Sequence, residues 1–222
     1  MMLKLKTSGL VGNNMHTNTL KFYVGLVSFL ILASCQQENK KEIEYYHLPT
    51  YSKNKNLQAV VEIPAGTNHK IEYNKTTKKF INDTINGKDR IIDFLPYLGN
   101  YGFIPSTYSD PKNGGDGDAL DVLILGENIT TGSVVEIIPI GMMELLDNAE
   151  SDNKIIAIPA EENKRIIKAT NFHEFSENYP EIRKMIGDWF KFYDLNDEIQ
   201  LKRWTGEQAA KNEIEKWRVP KP

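Results

Sequence analysis

The sequence predicts a mainly β protein of the α+β kind, a small antiparallel barrel followed by helices. Three observations predict it. Short runs rich in Val and Ile recur between Ala59 and Ile158, bounded by Pro, Gly, Asn and Asp. No helical period separates them, which is the pattern of strands joined by tight turns. From Ile182 onward the apolar residues recur at three and four, as on one face of a helix. No internal repeat and no linker divides the stretch after Leu57, so residues 57–222 read as one domain, long enough to bury a full core.

The elements follow in order. Ala59-Val60-Val61-Glu62-Ile63 is a strand stopped by Pro64, which has no N–H to give a ladder. After a turn at Ala65-Gly66-Thr67-Asn68, Lys70-Ile71-Glu72-Tyr73 alternates polar and apolar, so Lys70 and Glu72 share a face. Lys79-Phe80-Ile81 begins another strand, and Asn86-Gly87 is a hairpin turn signal. Arg90-Ile91-Ile92 leads through Phe94-Leu95-Pro96-Tyr97 to Asn100-Tyr101-Gly102-Phe103-Ile104-Pro105, and Ser109 to Gly115 is loop. The apolar run Val122-Leu123-Ile124-Leu125 is a buried strand, and Val134 starts another that runs toward Met143. Asp147 to Asn153 is a polar loop, and Lys154-Ile155-Ile156-Ala157-Ile158 returns as a strand. Pro180 suits the first turn of a helix whose Ile182, Met185, Ile186, Trp189, Phe190 and Tyr193 share one face. Leu201-Lys202-Arg203-Trp204 closes the sheet, and Glu207 to Trp217 is a last helix.

Of the 222 residues, 40% are hydrophobic and 26% charged, which is globular composition. Lys and Arg total 27 against 30 Asp and Glu, an acidic balance that argues against a nucleic-acid partner. Cys35 is the single cysteine, so no intrachain disulfide forms. Met1 to Ser34 contains three lysines and no acidic residue. Its apolar run, Phe22 to Ala33, has the length of a signal-peptide core and is too short for a comfortable membrane span. The ending Leu32-Ala33-Ser34-Cys35 resembles the lipobox of bacterial lipoproteins. That resemblance implies a signal peptide over residues 1–34, cleavage before Cys35 and lipid on Cys35, with Met15 an equally workable start. An uncleaved signal anchor is the competing reading. Residues 35–56 are polar and lysine-rich, a tether between lipid and domain. The expected location is the cell envelope, at the periplasmic side or outer membrane, with membrane contact through the lipid alone. If the signal reading fails, the location is cytoplasmic.

The densest chemistry lies in Asp116-Gly117-Asp118-Ala119-Leu120-Asp121, directly ahead of a buried strand. Like charges at this density repel one another unless a cation neutralises them, and hard oxygen ligands suit Mg²⁺, Mn²⁺ or Ca²⁺. In an extended backbone Asp116 and Asp118 point to one side. A second acidic loop carries Asp147, Glu150 and Asp152, and a barrel rim could unite the two around paired metals. A calcium EF-hand is excluded, because its fifth and required-glycine sixth positions would be Leu120 and Asp121. Lys70, Arg90 and Lys154 lie at strand edges, and Tyr97, Tyr101 and Tyr193 can donate phenolic hydrogen bonds, the donors a phosphate needs beside metals. The four histidines lack metal-ligand spacing, and neither a Walker loop nor a serine elbow is present.

These motifs resemble the soluble inorganic pyrophosphatases of the first family. Asp116 to Asp121 is similar to that family's D-x-D-x-x-D signature, with Ala119 where Pro or Glu is usual. Val61-Glu62-Ile63-Pro64, Lys70-Ile71-Glu72, Asn100-Tyr101-Gly102, Asp147, Asp152-Asn153-Lys154 and Trp189-Phe190-Lys191-Phe192-Tyr193 follow in family order. The resemblance implies a five-stranded closed barrel of OB-like topology with two or more C-terminal helices packed outside. It implies Mg²⁺-dependent hydrolysis of pyrophosphate to two phosphates, and a homo-oligomer. By the same resemblance Asp116, Asp121 and Asp152 are metal ligands, Asp147 holds a further ion, and Glu72 helps at a metal that arrives with substrate. Asp118 is the carboxylate that takes a proton from the attacking water. Lys70, Arg90, Tyr101, Lys154 and Tyr193 bind the phosphates, and Tyr97 stands near the leaving group. Asp194 departs from the family, which carries Lys there. Lys191 or Lys202 could replace that contact. Two other readings compete. One is an OB-like barrel that holds metal or anion without turnover. The other is an oligonucleotide-binding barrel, against which the acidic charge speaks.

Overall fold

A computed structural model of the chain describes residues 43–148, 150–194 and 197–219. The expected signal peptide, residues 1–34, and Cys35 lie outside them. Strand β1 (Leu57–Ile63) is buried except at Gln58, and Pro64 ends it as the sequence predicts. β2 (Ile71–Asn74) and β3 (Lys79–Asn82) pair as a hairpin. Asn74 shapes its turn by accepting from the N–H groups of Thr76 and Thr77 at 3.0 and 2.8 Å. β4 (Thr84–Ile85) and β5 (Lys88–Asp89) form a second hairpin through Asn86-Gly87. Both turn residues take positive φ, 54° and 75°, which matches the twist of the flanking strands. β6 (Asn100–Phe103), β7 (Asp121–Ile124) and the long β8 (Val134–Asp147) follow. After the short β9 (Glu150–Ser151) comes β10 (Lys154–Pro159). Helices α1 (Phe172–Asn178) and α2 (Pro180–Phe192), strand β11 (Ile199–Gly206) and helix α3 (Glu207–Trp217) complete the chain.

Five strands form a ring in the order β1, β6, β7, β10, β8, with β8 pairing back onto β1. This is the five-stranded barrel expected, with one correction. It is mixed rather than wholly antiparallel, because β10 lies parallel to β7. β8 runs between them in sequence and returns the chain to the starting end of β7, so the two pair in the same direction. β8 is long enough to pair with β1 at its start, β10 in its middle and β11 at its end. Pro139 lies inside it without breaking the sheet, since the register shifts between Ile156 and Ala157 opposite. Such a bulge accommodates the missing donor.

Alternate residues of the ring strands enter two different clusters. Leu123, Ile156 and Ile158 join Phe175, Ile186, Trp189 and Phe190 of α1 and α2. Val122, Ile124, Ile155 and Ala157 join Ala210, Ile214 and Trp217 of α3. Both faces of β7 and β10 are therefore covered, and their sequences read as unbroken apolar runs. In α2 the predicted face holds at Ile186, Trp189 and Phe190, with Ile182 and Tyr193 half-buried, but Met185 is exposed. The buried stripe turns toward Gly187 instead, where an added Cβ would stand 3.2 Å from Leu201 Cδ2 of β11. The expected tether, residues 35–56, meets packed structure from residue 43 onward. Tyr45 and Tyr46 lie against Tyr73, Phe80 and Phe103, burying aromatic surface that the polar composition of the segment conceals.

Candidate active site

The acidic loop is built by close backbone approach. Ser109 donates its N–H to Asp118 O at 2.7 Å, and Gly117 donates to Ser109 O at 2.8 Å. A Cβ at Gly115 would stand 2.5 Å from the Ser109 carbonyl, so glycine is required there. Gly117 takes φ +86°, the left-handed region that glycine tolerates. The stretch is thus not extended, as expected from spacing, but turned, and Asp116 Oδ1 accepts the Asp118 N–H at 3.1 Å. Asp121 opens β7, opposite Phe103 of β6 and Lys154 of β10.

A cavity of about 780 Å³ opens over this end of the ring. All five predicted metal-ligating carboxylates reach it: Asp116 and Asp121 from the loop and β7, Asp147 from the end of β8, Asp152 before β10, and Glu72 from β2. The catalytic candidates Asp118 and Tyr97 line it too. So do the predicted phosphate donors Lys70, Arg90, Tyr101, Lys154 and Tyr193. The two acidic loops therefore share one space.

Lys154 is the electrostatic centre. Its ammonium bonds Asp121 Oδ2 at 2.5 Å and also Asp152 Oδ1. Burial alone would lower its pKa, but the two carboxylates outweigh burial and raise it. Tyr101 donates its hydroxyl to Asp121 Oδ2 at 2.5 Å. Burial raises the Asp121 carboxyl, which Lys154 opposes and Asp152 reinforces. Asp116 is likewise raised, first by burial and then by Asp121 and Asp152. Asp147 is raised by burial and by Asp197 and Asp152. Among the described residues no three carboxylates are gathered tightly enough to enclose an ion. Asp121 and Asp152 nevertheless converge on one positive centre, the Lys154 ammonium, and the all-oxygen donor set around them fits a hard divalent cation.

The opposite wall is cationic and phenolic. Lys70 bonds Glu72 at 2.7 Å, the shared face that alternation predicts. Burial would lower the Lys70 pKa, but Glu72 outweighs it and the lysine stays charged. Backbone bonds from Lys70 to Arg90, Asp83 to Lys70 and Arg90 to Asp83 hold these three together. Arg90 meets Asp194 at 2.7 Å, Asp83 at 3.5 Å and Asp197 at 3.9 Å. Asp194 thus takes its place on the one arginine of this wall, and Arg90 is outnumbered by carboxylates. Tyr193 stacks on Trp189, with centroids 4.8 Å apart and planes at 5°, and burial pushes its hydroxyl up to about 12. Tyr97 packs against Tyr101 and Trp189 at 5.3 and 4.7 Å, and burial raises its hydroxyl as well.

Tyr46, Glu62, Lys75, Asp83 and Asp197 are among the cavity-lining residues with no role assigned from sequence. Glu62 accepts the Tyr73 N–H at 2.7 Å, and burial pushes its carboxyl up to about 8 despite that bond. A charged residue between Val61 and Ile63 in an otherwise apolar strand is the signal that could have found it. Tyr46 is 72 residues from its partner Asp118, and nothing local announces the pairing.

Residues 59–219 match the family model described as inorganic pyrophosphatase. The inorganic pyrophosphatase of Candida glabrata is 34% identical over 193 residues, covering 79% of this chain and 67% of that protein. The solved structure of inorganic pyrophosphatase from Schistosoma japonicum aligns with a TM-score of 0.72 at 28% identity, over 79% of this chain and 70% of that one. The Thermus thermophilus inorganic pyrophosphatase aligns with a TM-score of 0.65 at 25% identity, over 78% of this chain and 95% of that one.

Proposed function

The chain belongs to the family I inorganic pyrophosphatases and hydrolyses inorganic pyrophosphate, and from that premise we propose how its residues divide the reaction. The observation that carries the assignment is one cavity lined by the clustered carboxylates together with Lys70, Lys154, Arg90 and the three tyrosines. Asp116, Asp121 and Asp152 would hold Mg²⁺, with Asp147 at a further ion and Glu72 at one that arrives with substrate. When bound, the metal neutralises phosphate oxygens and lowers the pKa of the attacking water.

The chain's own groups do the rest. Asp118 accepts the proton as the water oxygen bonds to one phosphorus. The bridging P–O bond breaks with its electron pair, and the second phosphate leaves. Lys70 and Lys154 are held charged by their carboxylate neighbours, so they steady the phosphate oxygens at neutral pH. Tyr193 adds a neutral donor, Tyr101 can turn its hydroxyl to phosphate only by releasing Asp121 Oδ2, and Tyr97 stands at the leaving phosphate. Arg90 contributes less than a free arginine would, because Asp194 holds it.

Phosphate release from pyrophosphate tests this. The wild-type chain is expected to turn over with Mg²⁺ and to stop when the metal is chelated. Asp118→Asn should lower kcat about a hundredfold or more, the usual scale for losing a general base. An Asp118→Asn enzyme at full rate in saturating Mg²⁺ would refute the assigned proton acceptor. We also propose that Cys35 carries lipid and tethers the enzyme at the cell envelope, on the strength of the acid-free leader and the Leu32-Ala33-Ser34-Cys35 ending.

A further inference from the structure

The segment ahead of the family match reaches into the cavity. Residues 59–219 are those that match, yet the chain packs on the barrel from Ile43. Ile43 O accepts the Tyr73 hydroxyl at 3.0 Å, and Glu44 pairs with Lys78 at 2.7 Å. Ser106 bonds the carbonyls of Tyr46 and Leu48 at 2.9 and 2.8 Å, through its N–H and hydroxyl respectively. Thr50 donates to Pro105 O at 3.0 Å. Between these fixings the Tyr46 ring stacks on Phe103, centroids 4.3 Å apart and planes at 9°.

This seating delivers the Tyr46 hydroxyl to Asp118 Oδ1 at 3.2 Å. Lys75, whose ammonium lies 4.5 Å from the centre of the Tyr46 ring, bonds the same oxygen at 2.8 Å. The Ala119 N–H reaches it at 3.0 Å. All three donors fall on Oδ1, and among the described residues none falls on Oδ2. The Asp118 side chain is more than half exposed and follows a turn at glycine, so without these contacts its carboxylate could rotate. Donors fixed on one oxygen set the plane of the carboxylate and leave the other free to accept.

We propose that Tyr46, carried by the segment that precedes the barrel, is a positioning residue that pins Asp118 Oδ1 so that Oδ2 meets the attacking water. The inference rests on reading Asp118 as the proton acceptor. It makes the N-terminal segment part of the active site. Tyr46 does not contact substrate; it acts through Asp118, and the Phe103 stack and Ser106 bonds hold it in reach.

The test uses the full chain with Tyr46→Phe, Tyr45→Phe and Asp118→Asn, measuring kcat and KM for pyrophosphate in saturating Mg²⁺ and the melting midpoint. Tyr46→Phe keeps the stacked ring and removes only the donor. Its kcat should fall about tenfold or more, with KM within about twofold and the midpoint within about 2 °C, as for one lost bond to a charged acceptor. Tyr45 does not line the cavity, and Tyr45→Phe should keep kcat. An unchanged kcat in Tyr46→Phe, or a loss equalled by Tyr45→Phe or matched by a fall in melting midpoint, would overturn the proposal. Asp118→Asn separates the two levels. If it is inactive while Tyr46→Phe is normal, only the positioning role is lost. If it is fully active, the base assignment falls and the role of Tyr46 with it.

Discussion

Glu62 exemplifies how burial sets chemistry at a single residue. It sits in a strand whose neighbours are apolar, and the residue is 7% exposed. Burial raises its pKa from about 4.5 to about 8, with Asp121 and Glu72 adding and Lys70 opposing. The sign for stability follows. Below about 4.5 the carboxyl is protonated in folded and unfolded chains alike. Between that value and about 8 the unfolded chain releases its proton while the folded one keeps it. Stability therefore falls as pH rises through this window and levels off above it. In metal-free protein the Glu62 contribution should be on the order of a few kcal/mol. Urea unfolding at about pH 5 and about pH 8.5 checks this, with Glu62→Gln as the comparison. The variant keeps an acceptor for the Tyr73 N–H and should lose most of the slope. Equal slopes in both proteins would show that Glu62 is not the linked group.

Among the elements, the site divides between a rigid wall and a lighter one. β7 and β10 are paired on both sides within the ring and covered on both faces. They carry Asp121 and Lys154. β2, β3, β4 and β5 form two small sheets outside the ring, with Ile81 and Ile85 exposed, and they carry or flank Glu72, Lys70 and Arg90. Few buried apolar contacts and short hairpins mark a region that opens before the core does. Amide exchange should be at least about tenfold faster at Phe80 and Ile81 than at Ile155 and Ile156 under native conditions. Equal protection would mean that the two walls open together.

At the scale of the whole molecule, one chain carries an acid-free stretch over residues 1–34 and an acidic enzyme domain. If Cys35 is lipidated, fatty-acid labelling of cells should mark the wild-type protein and move it to the membrane fraction. Cys35→Ala should abolish both, leaving phosphate release intact. Unlabelled wild-type protein in the soluble fraction would end the anchor proposal. Much of the fold was legible because it is written locally. Pro64 stops β1, Asn86-Gly87 turns a hairpin, Pro180 opens α2, and the apolar runs of β7 and β10 announce burial on both faces. The parallel pairing of β7 with β10 was not legible, because strand direction in a ring depends on where the long β8 returns the chain. Nor was the outward face of Met185, since Gly187 and Leu201 set the helix rotation through packing.

What the sequence determined by itself was the chemistry: which carboxylates, cations and phenols the chain possesses, in which order, and on which local turns and strands. Their resemblance to one family followed from that order alone. Only the tertiary structure decided the partnerships, seating Lys154 between Asp121 and Asp152, Asp194 on Arg90 and Tyr46 on Asp118. Periodicity and turn propensity act over a few residues, whereas electrostatic pairing acts across whatever distance folding has closed, and that distance is not written in any single stretch of chain.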